Sequence, residues 1–136
     1  MPRSLRLRSS AVSVSMQRGV SMALRIGQRD VGSATILDLT GKLAGEASET
    51  LADRIDDLVD TGRTRLILNL RGVAFIDSAA LGTLLSKRAA VKNAGGQLRL
   101  LNLTERVWDL MVTTKLELVF ETFSSEADAL EGFAPR

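Results

Sequence analysis

Asp77 and Ser78 are the residues whose types and position best suit chemistry, an acid and a hydroxyl between an apolar run and a helical pattern. An aspartate just before a helix accepts a hydrogen bond from an amide of the first turn, which predicts a bond from the Ala80 N–H to Asp77. The Ser78 hydroxyl then points to solvent at the first helical position, where the positive end of the helix tolerates a phosphate. Taken alone, the dipeptide is better explained as a simple capping pair.

The 136 residues include no histidine and no cysteine. Ser-His-Asp and Cys-His nucleophiles, imidazole bases, disulfides and cysteine-ligated metal sites are therefore excluded. No lysine lies near Ser78 in the sequence to activate its hydroxyl, so we do not expect a catalytic serine. An enzyme is the least favoured class of function, and the lack of cysteine fits a reducing, cytoplasmic compartment.

Three further groups of side chains have either a functional or a surface interpretation. Four aspartates lie within the predicted helix at residues 46–60: Asp53, Asp56, Asp57 and Asp60. Because they lack the spacing of a calcium-binding loop, we expect them to form a polar helix face and not a metal site. Trp108, the only tryptophan, is either a partner anchor or a boundary residue over the sheet edge, and we favour the boundary position. A basic helix side predicts a solvated face, with an acidic partner as the alternative: Lys87, Arg88 and Lys92.

The elements that position these residues follow from the hydrophobic period. Alternating or continuous apolar runs predict strands at residues 24–28, 34–40, 65–70, 97–103 and 118–123. Helical periodicity predicts helices at residues 46–60, 78–93, 104–112 and 127–130. The short first link implies an antiparallel pair, and the later strands require parallel crossovers. The predicted fold is α/β, with a mostly parallel central sheet, one antiparallel edge strand and flanking helices, and with Leu68 and Leu84 in its core.

Charge divides the chain into two parts. Residues 1–29 contain six arginines and no acid, whereas the other 107 residues carry 12 basic and 16 acidic side chains. The predicted domain, residues 22–136, is thus mildly acidic, so nucleic-acid binding is not expected. Residues 1–21 predict a disordered basic extension or a start site assigned too far upstream, with a transit peptide as an alternative. No apolar run approaches the roughly 20 residues that span a bilayer, so membrane insertion is not expected.

Several segments of this sequence, taken in order, resemble the STAS domain, in particular the bacterial anti-sigma factor antagonists. The resemblance covers residues 22–136 and is carried by the ordered set rather than by any single motif. The segments are Leu39-Thr40-Gly41-Lys42-Leu43, the strand Leu66 to Leu70, Phe75-Ile76-Asp77-Ser78-Ala79-Ala80-Leu81-Gly82, Gly95-Gly96 and Val107-Trp108-Asp109-Leu110-Met111.

The resemblance implies a single STAS-like domain that binds an anti-sigma factor serine kinase and so releases a sigma factor. In that family the serine that matches Ser78 is the phosphoacceptor, and a phosphatase reverses the modification. The domain itself needs no cofactor, since the kinase supplies ATP and magnesium. The expected partner surface consists of Asp77, Ala79, Ala80, Leu81, Gly82, Lys42 and Ala44.

Two positions depart from the family pattern. Ala80 stands where the family usually has glycine, which adds a methyl group at the expected partner-facing start of the helix. Ala44 stands where many members have an aspartate, so one polar contact with the partner is absent. Both departures bear on which kinase is recognised.

Two functions from different classes therefore stay open beside the remote enzyme. The favoured one is an anti-sigma factor antagonist switched by serine phosphorylation. The alternative is a STAS subunit of a lipid-transport ABC complex or of a stress-signalling scaffold, in which Ser78 stays unmodified. Treatment with candidate kinases and ATP discriminates between them.

Overall fold

The computed structural model describes residues 24–133, which form five strands and four helices. The strands are β1 (Leu24–Val31), β2 (Ala34–Leu43), β3 (Arg65–Ile76), β4 (Gln97–Leu101) and β5 (Glu121–Phe123). The helices are α1 (Glu46–Asp60), α2 (Ser78–Asn93), α3 (Glu105–Thr113) and α4 (Glu126–Leu130). The expected disordered extension, residues 1–21, lies outside the described residues.

The five strands form one sheet in which the spatial order is the order along the chain, β1-β2-β3-β4-β5. β1 runs antiparallel to β2 because a tight turn joins Val31 to Ala34, with Gly32 at a φ of 61° that favours glycine. The other three neighbouring pairs are parallel, and each is connected through a helix. This topology confirms the predicted fold class.

The two faces of the sheet are covered by different elements. On one face Leu37, Leu68 and Leu100 lie side by side on neighbouring strands, fully buried beneath α1, α2 and α3. On the other face Ile36 and Ile67 form a smaller cluster with Ala129 of α4. A strand covered on both faces reads as a continuous apolar run, which explains the sequence from Leu66 to Leu70.

β3 extends to Ile76 and is therefore much longer than the predicted strand 65–70. Its second half pairs with the end of β2 beyond a bulge, where the register shifts between Asp38 and Thr40. Gly72 lies opposite Thr40, and a Cβ at this glycine would approach the Leu39 carbonyl oxygen to 2.8 Å. The close approach of the two backbones carries the β2–β3 pair past β4, to the point where α2 begins.

Two predicted strands are shorter in the structure than in the sequence analysis. β4 ends at Leu101 rather than at residue 103, because Asn102 adopts a left-handed φ of 58° that stops the extended backbone. The prediction of a strand from residue 118 was wrong, since β5 begins only at Glu121. Lys115 has a φ of 62°, and the Val119 N–H donates to the Leu116 carbonyl at 3.0 Å, so a turn occupies this segment.

The buried side chain of Arg99 on β4 connects α4 to the sheet through hydrogen bonds. Its guanidinium donates to the carbonyl oxygens of Ala129 at 2.8 Å and Glu131 at 2.6 Å, at the C-terminal end of α4. It also stacks on the Phe133 ring, 3.9 Å from its centroid. A helix of five residues is unstable in isolation, so these contacts and the small apolar cluster must hold it in place.

Candidate functional site

Ser78 is the first residue of α2 and follows β3 after a single connecting residue. That residue, Asp77, is extended, and its carboxylate accepts the Ala80 N–H at 2.7 Å. Its carbonyl oxygen accepts the Leu81 N–H at 3.1 Å, the first hydrogen bond of the helix. The predicted cap is confirmed, and it fixes the direction in which the helix and Ser78 leave the sheet.

The Ser78 side chain is exposed, and its hydroxyl makes no hydrogen bond within residues 24–133. Asp77 alone performs the side-chain capping, so the serine hydroxyl is not needed for the helix start. An exposed hydroxyl on a rigid, capped helix terminus is accessible to a second macromolecule. The amide groups of the first turn also favour negative charge at this end of the helix.

The predicted partner residues on α2 divide between surface and core. Ala79 and Gly82 are exposed, and a Cβ at Gly82 would meet nothing within 4 Å. Ala80 and Leu81 are 1% and 2% exposed and belong to the core cluster. The expectation that the Ala80 methyl faces a partner is therefore corrected, because this side of α2 lies against the sheet. Ala80 and Leu81 pack the start of α2 against the core, and Ala79 and Gly82 form the surface beside Ser78.

The end of β2 lies next to the start of α2, as the resemblance implied. The Asp77 N–H donates to the Leu43 carbonyl oxygen at 3.4 Å, which joins the two strand ends. Lys42 is exposed and Ala44 half-buried on either side of Leu43. The structure thus brings Lys42 and Ala44 to the sheet edge at which Ser78 lies, although the two segments are over 30 positions apart in the sequence.

Phe75 is a surface residue of this edge that is not among the predicted partner residues. It is the register partner of Lys42, and its side chain is 39% exposed, whereas the neighbouring Ile76 is buried. Strand alternation contains the signal: if Ile76 faces the core, Phe75 faces the opposite side, where β3 has passed beyond its neighbour β4. An exposed aromatic ring is a common anchor in protein interfaces.

The described residues offer few groups for other chemistry. In residues 24–133 no cluster of three or more His, Cys, Asp or Glu side chains could hold a metal ion. Lys87 forms an ion pair with Asp56 on α1, in which its Nζ lies 2.8 Å from the carboxylate. Part of the predicted basic face of α2 therefore joins two helices. No helix in this range is both long and apolar enough to cross a membrane.

A chain of polar side chains crosses the sheet on the α4 side. Arg29 on β1 donates to both Asp38 oxygens, at 2.7 and 3.1 Å, and also to Glu126 of α4 at 3.0 Å. Asn69 on β3 donates to Asp38 at 2.8 Å and accepts from Asn102 at 3.2 Å. The hydrogen bonds from Arg29 hold the pKa of Asp38 below its ordinary value and outweigh the effect of partial burial.

Trp108 is 40% exposed on α3, while Val107 and Met111 of the same helix are buried. This partial exposure agrees with the favoured boundary position and leaves the alternative of a partner anchor open. α3 begins at Thr104, whose hydroxyl accepts the Val107 N–H at 3.4 Å and donates to the Val73 carbonyl at 3.3 Å. These bonds hold the start of α3 against β3, and Trp108 lines a cleft beside it.

Comparison with known proteins places this geometry in a family. The model of the STAS domain matches residues 26–129, most of the chain. An anti-sigma F factor antagonist from Paenibacillus polymyxa is 23% identical over 110 residues, which cover 80% of this chain and 94% of that protein.

Solved structures show the same fold at low sequence identity. The anti-sigma factor antagonist SpoIIAA in its unphosphorylated form superposes with a TM-score of 0.68 at 21% identity, covering 78% of this chain and 93% of that one. The phosphorylated form of SpoIIAA, a Bacillus cell fate determinant, gives 0.62 at 20% identity, covering 78% and 96%. With a family match over three quarters of its length and this shared fold, the chain belongs to the STAS domain family.

Proposed function

We propose that this protein is an anti-sigma factor antagonist whose binding is switched by phosphorylation of Ser78. The observation that carries the proposal is the exposed Ser78 hydroxyl, free of hydrogen bonds within residues 24–133, at the Asp77-capped start of α2. Relatives that match most of the chain are named anti-sigma factor antagonists, and one has been solved in both phosphorylated and unphosphorylated forms.

The proposed modification requires only a hydroxyl from this chain. An anti-sigma factor serine kinase binds the edge around Ser78 and holds ATP with magnesium. The Ser78 Oγ attacks the γ-phosphorus, the bond from that phosphorus to the bridging oxygen breaks, and ADP leaves. A base of the kinase takes the hydroxyl proton, since the chain itself contains no histidine or cysteine and no group bonded to Ser78 in the described residues. The antagonist is thus a substrate of the kinase and not an enzyme.

In the unphosphorylated state, we propose that the kinase is sequestered by the surface beside Ser78. Ala79 and Gly82 have small side chains that allow close approach, and Phe75 supplies an exposed aromatic ring at the same edge. Lys42 adds a positive charge that suits an acidic group of the partner. When the kinase occupies this surface, it releases the sigma factor that it holds. This exchange takes place in the cytoplasm.

Phosphorylation adds about −1.5 to −2 charges at pH 7 at the centre of this surface. The start of α2 tolerates the new charge because its amides and helix dipole favour an anion, so the domain stays folded. Asp77 lies next in the chain and repels the phosphate, and a partner surface suited to a neutral hydroxyl loses complementarity. The kinase is released, and a phosphatase restores the binding state.

Two variants of Ser78 test the switch. Ser78→Ala should bind the unphosphorylated-state partner and resist inactivation by ATP. Ser78→Asp should bind about 30-fold more weakly or worse, since a like charge or an unpaired charge buried at an interface costs about 2 kcal/mol or more. Circular dichroism should show both variants folded. Affinity is measured with the candidate kinases encoded in the same genome.

Ser86→Ala is the matched control, because Ser86 is another exposed serine of α2 two turns further along. Mass spectrometry after kinase treatment should locate the phosphate on Ser78 in the wild type and in this control. Phosphate at another residue, or equal partner affinity for all three variants, would contradict the switch. That result would favour the STAS subunit or scaffold without phosphorylation.

A further inference from the structure

A cleft of about 560 Å³ lies at the ends of β4 and β5, and Ser78 is not among the residues that line it. It opens between the start of α3 and the segment of β3 that passes beyond β4. Its walls include Arg71, Asn102, Thr104, Trp108, Phe123 and Ser124. Nothing in the proposed phosphorylation switch uses these residues.

The cleft carries an uncompensated positive charge. Arg71 is the one ionisable side chain among the residues of 24–133 that line it, and it is exposed. Arg29, Arg63, Lys87 and Arg99 form ion pairs with carboxylates, whereas Arg71 forms none with any described residue. A guanidinium without a partner suits a carboxylate, which it binds through two parallel hydrogen bonds.

The cleft also has apolar walls. Trp108 is 40% exposed and lines this opening, and Phe123, which is partly buried, also contributes to its wall. Val112, one helical turn beyond Trp108, is 43% exposed and extends the same side of α3. Large exposed apolar side chains on one helix face are typical of a protein interface.

The floor of the cleft is fixed before any ligand arrives. Asn102 has a left-handed backbone, and two hydrogen bonds hold it in place. Its backbone N–H donates to the Phe123 carbonyl at 2.9 Å, and its side-chain amide donates to the Asn69 side-chain oxygen. The Arg71 N–H donates to the same Asn69 oxygen at 3.2 Å. Asn69 is bonded in turn to Asp38 and through it to Arg29. A rigid floor reduces the entropy lost on binding.

We propose that this cleft docks an acidic segment of a protein partner, with a carboxylate on Arg71 and an adjacent apolar side chain against Trp108. The positive charge of Arg71 favours an acidic occupant. Residues 1–29 of this chain contain arginines and no acid, so this segment does not complement Arg71. The proposal goes beyond the switch at Ser78, because Ser78 is not among the residues that line the cleft. A partner held here stays associated when phosphate weakens its contact with Ser78.

Trp108 reports directly on the cleft, because the chain contains one tryptophan and no tyrosine. The full chain is titrated with a synthetic peptide of glutamate and aspartate around one leucine and one phenylalanine. The control peptide has lysines at the acidic positions. We expect a saturable blue shift of Trp108 emission with the acidic peptide alone. Equal shifts with both peptides, or no shift, would overturn the proposal.

Arg71→Gln should weaken binding of the acidic peptide about tenfold, the effect of losing a charge-assisted hydrogen bond of moderate strength. Arg106→Gln is the matched control, since Arg106 is an exposed arginine of α3 outside the cleft lining, and it should bind like the wild type. If both variants bind equally, net charge alone attracts the peptide and the proposal fails.

Two further measurements separate the cleft from other sites. Ser78→Asp should leave the peptide affinity unchanged, so failure of the phosphorylation switch does not affect this test. Loss of peptide binding in Ser78→Asp would place the peptide at the α2 edge and overturn the proposal. A Trp108 shift that grows with protein concentration alone, accompanied by dimers in sedimentation, would show that a second copy occupies the cleft instead.

Discussion

At the start of α2, some residues stabilise the helix and others face solvent. Asp77 caps the helix, Ala80 and Leu81 seat it in the core, and Ser78 is left exposed between them. Neither the Asp77 cap nor the packing of Ala80 and Leu81 uses the Ser78 hydroxyl. A phosphate added to Ser78 would therefore leave the contacts that stabilise the helix in place. A local change of charge can therefore alter the surface without unfolding the domain.

Ala80→Gly tests whether the methyl at this position acts through the core. The variant should lower the free energy of unfolding by about 1 kcal/mol or somewhat more, since glycine disfavours a helix and a buried methyl is removed. Because the methyl is 1% exposed, partner affinity and phosphorylation of Ser78 should stay unchanged. Urea denaturation and the kinase assay measure the two effects. Ala79→Gly, at the exposed neighbouring position, is the control, and a changed affinity for Ala80→Gly alone would show that the methyl contacts the partner.

At the scale of elements, the pairing of β2 with the long β3 decides where the site lies. The bulge near Thr40 and the close approach at Gly72 carry both strands beyond β4, so α2 starts at an exposed corner of the sheet. The apolar stripe of α2 then packs on the sheet and holds Ser78 at that corner. The position of Ser78 thus depends on the same contacts that stabilise the core.

Leu84→Ala should remove an important part of the contact between α2 and the sheet. Leu84 is 1% exposed within the main core cluster, and truncation of such a residue costs about 2–5 kcal/mol. Leu118→Ala is the same substitution at a position that is 91% exposed, and it should change stability by about 0.5 kcal/mol at most. Both are measured by urea denaturation. Equal effects of the two substitutions would mean that α2 is turned differently from the arrangement described above.

At the scale of the whole molecule, polar contacts join elements that are remote in the sequence. Arg29 of β1 bonds both to Asp38 of β2 and to Glu126 of α4, which is 97 positions away. From Asp38 the hydrogen bonds continue through Asn69 to Asn102, beneath the proposed docking cleft. This chain of contacts links the antiparallel edge strand, the last helix and the cleft floor.

The ionisation of Asp38 should make a small contribution to acid stability. Its pKa is lower in the folded protein than the ordinary value of 3.8, chiefly because of the Arg29 hydrogen bonds. The resulting stability is present above pH 3.8 and is lost as the pH falls through the folded pKa. Asp38→Asn should therefore reduce the unfolding free energy at pH 7 by about 1 kcal/mol or less, since the pair is partly exposed.

Denaturation midpoints of the wild type and Asp38→Asn should converge as the pH falls below the folded pKa of Asp38. The control is Asp53→Asn, an exposed acid of α1 with no ion pair among the described residues, which should follow the wild type throughout. A difference between wild type and Asp38→Asn that does not depend on pH would show that hydrogen-bond geometry, and not ionisation, accounts for the effect.

The sequence alone determined the order of elements, the fold class and the cap at Asp77, because each depends on residues within a few positions of one another. Alternation along β3 and the 3.6-residue stripe of α2 also predicted that Leu68 and Leu84 are buried. The same stripe also contains the signal for the Ala80 methyl, because Ala80 lies one helical turn before Leu84 on the buried side of α2. The false strand before Glu121 had enough apolar residues, but the left-handed backbone at Lys115 is not encoded by hydrophobic period.

Only the tertiary structure determined which distant side chains meet. The contacts of Arg29 with Glu126, of Lys87 with Asp56 and of Arg99 with the end of α4 join residues at least 30 positions apart. The cleft beside Trp108 likewise requires β3, the end of β4, α3 and β5 to be in place together. Such juxtapositions depend on how whole elements pack, and packing is decided by the total burial of many side chains, which no short segment of sequence contains.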